Sequence, residues 1–265
     1  MREELRALVK ELASRVLLSD EFDFVPGTGI LPVTSTETEK ISGTEKIKTT
    51  EEKGISAAEQ LTVIAAEIAG CFACPLGKTR IKPVPGVGSP RAKVLFIGEG
   101  PGFEEDRRGE PFVGKAGQLL DKIIGAIGLS RETVFIANMV KCHPMKDPSD
   151  PEARGNDRPP SPEELAACRG FIERQIRAVR PAVIVALGAV AAKALLGTSE
   201  GITRLRGNWK SLRLPGSDEP EIPVLPTYHP AALLRDETLK RDVWNDMKAL
   251  RDFLAGPAEK GKMGA

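Results

Sequence analysis

From residue 93 onward the chain alternates short apolar runs with helical patterns, and no other feature constrains its fold as tightly. Val94–Gly98, Val134–Asn138, Val183–Leu187 and Ile222–Thr227 read as strands. Consecutive apolar positions, rather than every second one, mean strands buried on both faces. Helical patterns separate them at Ala116–Leu129, from Ser161 to just before Pro181, and at Val190–Leu196. Ser161-Pro162-Glu163-Glu164 opens the long helix with three agreeing signals: Ser at the N-cap, Pro at N1 and Glu at N3. A last helix is expected at about Glu237–Leu254, where Leu239, Val243, Met247, Leu250 and Leu254 form one stripe. The expected fold is therefore α/β: a doubly wound, mainly parallel four-stranded sheet with helices on both faces. Such sheets bind ligands beyond the carboxyl ends of their strands. That rule selects the Gly98–Gly102 loop, Asn138 and its successors, and Tyr228–Arg235.

The front of the chain reads differently. Residues 1–20 are expected to hold an amphipathic helix, with Leu5, Leu8, Val9, Leu12 and Val16 at helical spacing. It is a candidate docking segment for a protein partner. Residues 21–55 lose all periodicity and read as a disordered linker. Order resumes at Ser56-Ala57-Ala58-Glu59, a capping box whose helix runs to about Gly70. The folded domain is expected over 56–256, with a flexible tail at 257–265. Net charge is +1, so no global basic signature for nucleic acid exists. Its distribution is uneven: residues 1–60 sum to about −4 and residues 61–265 to about +5. No run of 18 apolar residues is present, and no secretory signal opens the chain. No membrane association is expected, and the expected location is cytoplasmic.

Four cysteines occur: Cys71, Cys74, Cys142 and Cys168. In a reducing compartment a disulfide framework is not expected. Cys71-x2-Cys74 is a chelating pair, but a zinc ribbon usually presents two such pairs. An iron–sulfur cluster accepts irregular spacing. On spacing alone, zinc and iron–sulfur both stay open, beside a redox pair with two buried thiols.

Gly98-Glu99-Gly100-Pro101-Gly102 matches no phosphate-binding fingerprint. A tight strand-to-helix turn explains it equally well. Phe112 sits between Gly and Pro residues, as core filler or as a platform on which a planar base stacks. Asn138 ends a strand, and its amide both donates and accepts, which suits a nucleobase edge or a simple turn. His229 stands at the carboxyl end of the fourth strand, a functional position or a structural hydrogen bond. His143 lies beside Cys142, outside the site or supporting it.

Taken together, these motifs resemble family 4 uracil-DNA glycosylases. Gly98–Gly102 with Glu105-Asp106, Gly109, Pro111–Gly114 and Ala116-Gly117 resembles that family's first active-site motif. Asn138–Cys142 is similar to the second and His229–Arg235 to the third. The likeness covers about residues 58–254. It implies hydrolysis of the N-glycosidic bond of deoxyuridine in DNA, in base excision repair. It implies a [4Fe–4S] cluster on Cys71, Cys74, Cys142 and Cys168. Uracil-containing DNA would be the partner, the enzyme a monomer associated with the nucleoid.

The resemblance also implies roles. Phe112 would stack on a flipped uracil and Asn138 would read its edge. His229 would donate to uracil O2 as charge develops there. Gly98 and Gly100 would line the pocket through their backbone. Leu233 would wedge into the vacated stack. Arg235, Arg204 and Arg206 would contact phosphates. Glu99 would belong to the pocket, and Glu105 to water or base. Other uracil glycosylases carry an Asp at the position of Gly100, so water activation needs another group or none. Met145–Pro160 is a longer insert than the family leads one to expect. One branch of the superfamily bonds to the abasic site through a His in this region, and this insert has none. Two other readings stand beside the glycosylase: a silent iron–sulfur DNA-binding module, and a phosphate-binding enzyme using the Gly loop. Intact Phe112, Asn138 and His229 argue against the first. The missing phosphate lysine argues against the second.

Overall fold

Strands β2 (Val94–Gly98), β3 (Phe135–Asn138), β4 (Val183–Leu187) and β6 (Ile222–Thr227) form the centre of the sheet, and adjacent members run parallel. The coordinates are a computed structural model and describe residues 55–256. The expected N-terminal helix at 1–20, nearly all of the linker at 21–55, and the tail at 257–265 lie outside the described residues.

The sheet differs from the expected four strands. It has six and is mixed, in the order β1-β3-β2-β4-β6-β5. Strands β1 (Val87–Gly88) and β5 (Lys210–Leu212) are antiparallel edges. Two or three residues are too few to show a period, which is why the sequence pattern conceals them. Gly88 has φ +128°, and a Cβ there would overlap the Val134 carbonyl. Only glycine lets β1 approach β3 that closely.

Burial on both faces is what the apolar runs demand. Val94, Phe96, Ile136, Val185 and Leu225 pack on one side with α4 (Lys115–Gly125) and α9 (Lys240–Leu254). Leu95, Ile97, Ala137, Ile184 and Val224 pack on the other with α5 (Pro162–Val179) and α6 (Gly188–Leu196). Helix α5 starts as expected. Ser161 Oγ accepts from the Glu164 amide at 3.2 Å, and Glu164 Oε2 accepts from the Ser161 amide at 2.7 Å. The last helix starts later than its stripe suggests, because Asp236 Oδ1 accepts from the Thr238 amide and holds Glu237–Leu239 as a 3-10 turn.

Four short helices complete the domain with α1 (Ala57–Ala69): α2 (Leu76–Thr79), α3 (Phe103–Arg108), α7 (Ile202–Leu205) and α8 (Pro230–Arg235). Register then levels the strand ends. Gly98 pairs opposite Asn138, and Leu187 opposite Thr227. The chain leaves β2 for β3 on one side and later enters β4 on the other. This reversal of strand order opens a crevice above Gly98.

Candidate active site

A cleft of about 590 Å³ occupies that crevice, lined among others by Glu99, Phe112, Asn138 and His229. The carboxyl end of β3 supplies Asn138, and the loops beyond β2 and β6 supply the others. The β2 and β3 loops are zipped together past the sheet, since the Met139 amide donates to Gly98 O at 2.9 Å and the Val140 amide to Glu99 O at 3.2 Å.

Phe112 is held in a conformation that its side chain disfavours. Its φ is +55°, in the left-handed region. Its carbonyl accepts from Arg131 Nη1 at 2.9 Å, and the Pro111 carbonyl from Arg131 Nη2 at 2.6 Å. Arg131 is in turn braced by Asp121 Oδ1 at 2.9 Å. Glu105 fixes the residues that follow, accepting from the Val113 and Gly114 amides at 2.9 and 3.0 Å. Its other oxygen accepts from the Gly102 amide at 3.2 Å. Gly98 and Gly117 make room, since a Cβ at Gly98 would come 2.5 Å from Phe112 Cζ and one at Gly117 would overlap the Phe112 carbonyl.

Asn138 is buried, and its Oδ1 has no hydrogen-bond partner. An orphaned buried acceptor is costly, so it points to a missing donor. Its backbone carbonyl is secured by Lys141 Nζ at 2.7 Å, which also donates to Gln175 Oε1 at 2.6 Å. Burial pulls the Lys141 amine down to about 7, while nearby Cys168 and Cys142 oppose the shift.

His229 caps α8: its Nδ1 accepts from the Ala231 amide at 3.1 Å. That bond assigns the ring proton to Nε2. Burial, with the Arg235 charge adding to it, pushes the His229 pKa down to about 4. At neutral pH the ring is an uncharged donor. Gly188, at φ +89°, packs beside it, where a Cβ would come 3.0 Å from His229 Cβ.

Glu99 is the other acid of interest. Burial raises its pKa, and its carboxyl makes no side-chain hydrogen bond among the described residues. Gly100 has no room for a larger side chain here, because a Cβ would come 2.8 Å from Val140 Cγ2.

This chemistry can be compared with known proteins. The uracil DNA glycosylase superfamily model matches residues 85–248. A type-4 uracil-DNA glycosylase of Thermotoga maritima is 40% identical over 202 residues, 74% of this chain and 95% of the relative. One of Archaeoglobus fulgidus is 39% identical over 199 residues, 74% and 94% of the two chains. One of Saccharolobus solfataricus is 37% identical over 222 residues, 78% and 97%.

The chain belongs to the type-4 uracil-DNA glycosylases.

Other residues singled out in this type-4 chain are not all at the cleft. Arg235 lines it and is exposed. Arg204 is exposed, away from the cleft lining. Arg206 is committed inward, donating to Asp246 at 2.6 and 3.2 Å and to the Asp242 carbonyl at 2.9 Å. Leu233 is 1% exposed and belongs to the core beneath α8. Its neighbour Leu234 is 50% exposed.

The four cysteines converge although far apart in sequence. Cys142 and Cys168 share a small buried cluster with Leu76 and Val140, and Cys74 packs against it. Arg80 Nη1 donates to Cys142 Sγ at 3.1 Å and to the Ile68 carbonyl at 3.0 Å. Burial raises the Cys142 thiol to about 11, against the pull of Arg80. Burial also raises Cys168, against Lys141. All four are free thiols. Among the described residues no three His, Cys, Asp or Glu side chains gather closely enough to hold a single metal ion. Four thiols with no imidazole or carboxylate among them are the donor chemistry that a four-thiolate cluster requires.

Lys141, Arg131, Arg80 and Gly117 escape sequence reasoning as supports of the site. Of these, Gly117 inside the first motif and Lys141 inside the second carry a local signal.

Proposed function

We propose that this chain excises uracil from DNA, hydrolysing the N-glycosidic bond of a flipped deoxyuridine to leave free uracil and an abasic site. The observation that carries this is the orphaned Asn138 Oδ1, buried in the cleft that also presents Phe112 and His229. Uracil offers an N3–H donor beside its O4 acceptor. The Asn138 amide meets both, Oδ1 accepting and Nδ2 donating. The Phe112 ring gives the base a face to stack on.

The bond from C1′ to N1 breaks, and its electron pair moves onto the base, largely to O2. His229 Nε2–H donates to that oxygen. A neutral donor suits this task because it stabilises the developing charge without a proton having to leave. Water adds to C1′ of the oxocarbenium-like sugar and gives up a proton. Glu99 is the cleft carboxylate free to accept it. Glu105 is spent on three backbone amides and acts by holding Phe112.

Cys71, Cys74, Cys142 and Cys168 would hold a [4Fe–4S] cluster, with Arg80 and Lys141 beside the sulfurs. When bound it would act as a cross-link, tying the Cys71 segment, the Asn138 loop and α5 together. Arg235 would contact phosphate, and Leu234 rather than Leu233 presents the apolar side chain that could enter the base stack. The unit at 56–256 would act as a monomer on nucleoid DNA. No helix among the described residues is long and apolar enough to cross a membrane.

The test is incubation with a single-uracil oligonucleotide and a thymine control, followed by alkali. Breaks at uracil alone, over many turnovers, are expected. Intact strands with the cluster present would overturn the reading and favour a silent DNA-binding module.

A further inference from the structure

The Met145–Pro160 insert is a folded hairpin. Met145 and Asp157 form an antiparallel bridge. The Lys146 amide donates to the Asn156 carbonyl at 2.8 Å, and the Arg158 amide to the Pro144 carbonyl at 3.0 Å. The buried Asn156 side chain staples the tip. Its Oδ1 accepts from the Asp147 amide, and its Nδ2 donates to the Asp147 and Asp150 carbonyls at 2.7 and 2.9 Å. Arg158 grips Glu164 with two nitrogens, at 2.8 and 2.7 Å, tying the hairpin to the start of α5. Asp157 accepts from buried His143 Nε2 at 2.6 Å. Arg107 of α3 ties to Glu152 and the Pro151 carbonyl. This arm is preorganised, and Arg154, Gly155, Asp157, Arg158 and Pro159 make one wall of the cleft.

Its cations are not equivalent. Arg107 and Arg158 are committed to carboxylates that anchor the arm. Arg154 is different: its side chain is 79% exposed, lies over the Phe103 ring at 4.8 Å, and among the described residues pairs only with Glu104, at 3.2 Å. An exposed pair of this kind holds weakly and can exchange. Lys146 is also exposed, and its Nζ donates to the Gly155 carbonyl at 3.1 Å while its charge acts on the nearby Asp157 carboxylate. Across the same cleft Lys115 and Arg235 are exposed and have no carboxylate partner among the described residues. The arm follows β3 and Arg235 follows β6, and β2 and β4 stand between those strands. The cations therefore approach the cleft from its two ends.

We propose that the insert is a phosphate-contact arm: on DNA binding Arg154 leaves Glu104 for a backbone phosphate beside the flipped nucleotide, opposite Arg235. The proposal rests on the uracil reading for its ligand. Its signature is a pair of opposite effects. Removing Arg154 removes a phosphate contact, whereas removing the Glu104 charge removes the competitor.

The probe is a fluorescein-labelled single strand carrying one 2′-fluoro-2′-deoxyuridine, which resists cleavage. Binding is followed by anisotropy against salt for the wild type, Arg154→Ala and Glu104→Gln. Arg154→Ala should weaken binding several-fold at low salt and flatten the log K against log salt slope by about 0.7. Glu104→Gln should tighten binding. An unchanged slope in Arg154→Ala, or weaker binding in Glu104→Gln, overturns the arm, because a merely structural pair would move both variants the same way. Cleavage of an ordinary single-uracil strand is measured alongside. Cleavage by the wild type with an unchanged Arg154→Ala slope sinks the arm alone. The opposite effects without any cleavage support the arm and sink the glycosylase reading alone.

Discussion

The rings of Phe112 and His229 lie 5.5 Å apart, centroid to centroid, at an interplanar angle of 31°. Each is held by backbone chemistry rather than by the other. Phe112 depends on Arg131, Glu105 and two glycines, and His229 on the Ala231 amide. The cleft is thus formed before any base arrives.

His229→Ala should therefore leave the fold intact and slow the chemical step. Loss of one positioned donor to a developing oxyanion costs about 10²–10³-fold. Single-turnover cleavage at saturating DNA checks this. A wild-type rate would remove His229 from the mechanism.

Glu105→Gln should act through Phe112. A glutamine amide has one acceptor oxygen, so its nitrogen would face a backbone N–H. With three amides to serve, the cost is about 1–3 kcal/mol of stability. Activity should fall with it, through a displaced Phe112. Urea unfolding and single-turnover rates read the two effects. If Glu105→Gln keeps its stability while the rate collapses, Glu105 contacts water or substrate instead.

Gly117→Ala tests the same loop from its other side. The new Cβ would overlap the Phe112 carbonyl, so the loop must move. Overpacking of this kind costs about 1–3 kcal/mol. Weaker binding of uracil-containing strands is expected, seen as a raised KM. Unchanged binding would show that Phe112 need not keep its observed conformation.

What the sequence reveals of this site follows from periodicity. Buried strands are apolar at every position, so β2, β3, β4 and β6 stand out, and their carboxyl ends locate Gly98, Asn138 and His229. Side-chain direction within a short helix is another matter. Leu233 and Leu234 are neighbours on α8, and nothing in Pro-Ala-Ala-Leu-Leu-Arg says which faces the core. Packing of α8 on α4, within the apolar cluster that holds Leu120 and Ile124, decides it. Arg206 is illegible for the same reason, since Asp246 lies 40 residues away. Glu105 is visible as part of a motif, but three backbone amides converging on one carboxylate are a property of the folded loop.

Cys142→Ala and Cys168→Ala should each abolish iron binding and visible absorbance and lower the unfolding temperature. Arg80→Ala should act more mildly. It removes a donor to Cys142 Sγ, a supporting contact of the kind worth about 10–100-fold in metal retention. Iron and acid-labile sulfide analysis, with competition by a chelator, would measure both. Purified wild type rich in zinc and free of sulfide would overturn the cluster.

The depressed His229 pKa makes a signed prediction about pH. In the unfolded chain the ring titrates near its model value of 6.5, and in the folded protein near about 4. Above pH 6.5 both states are neutral, and the ring contributes no slope. As pH falls below 6.5 the unfolded chain takes up a proton that the folded chain refuses, so stability is lost. The loss continues until pH reaches about 4, with a limiting slope of about 1.4 kcal/mol per pH unit. Glu99, whose pKa burial raises, works in the opposite direction below neutral pH, because its folded form takes up protons first. The His229 contribution is isolated by subtracting the stability of His229→Gln at each pH. That difference should be flat from pH 8 to 7 and then fall towards pH 4. The chemical step should follow the same ring. It should hold constant through neutral pH, decline first as Glu99, the proton acceptor, takes up its own proton, and decline again towards pH 4, where protonation of Nδ1 breaks the bond from the Ala231 amide. A stability difference without slope below pH 6.5 would mean that the ring titrates as in water, and the neutral-donor role assigned to His229 would fail with it.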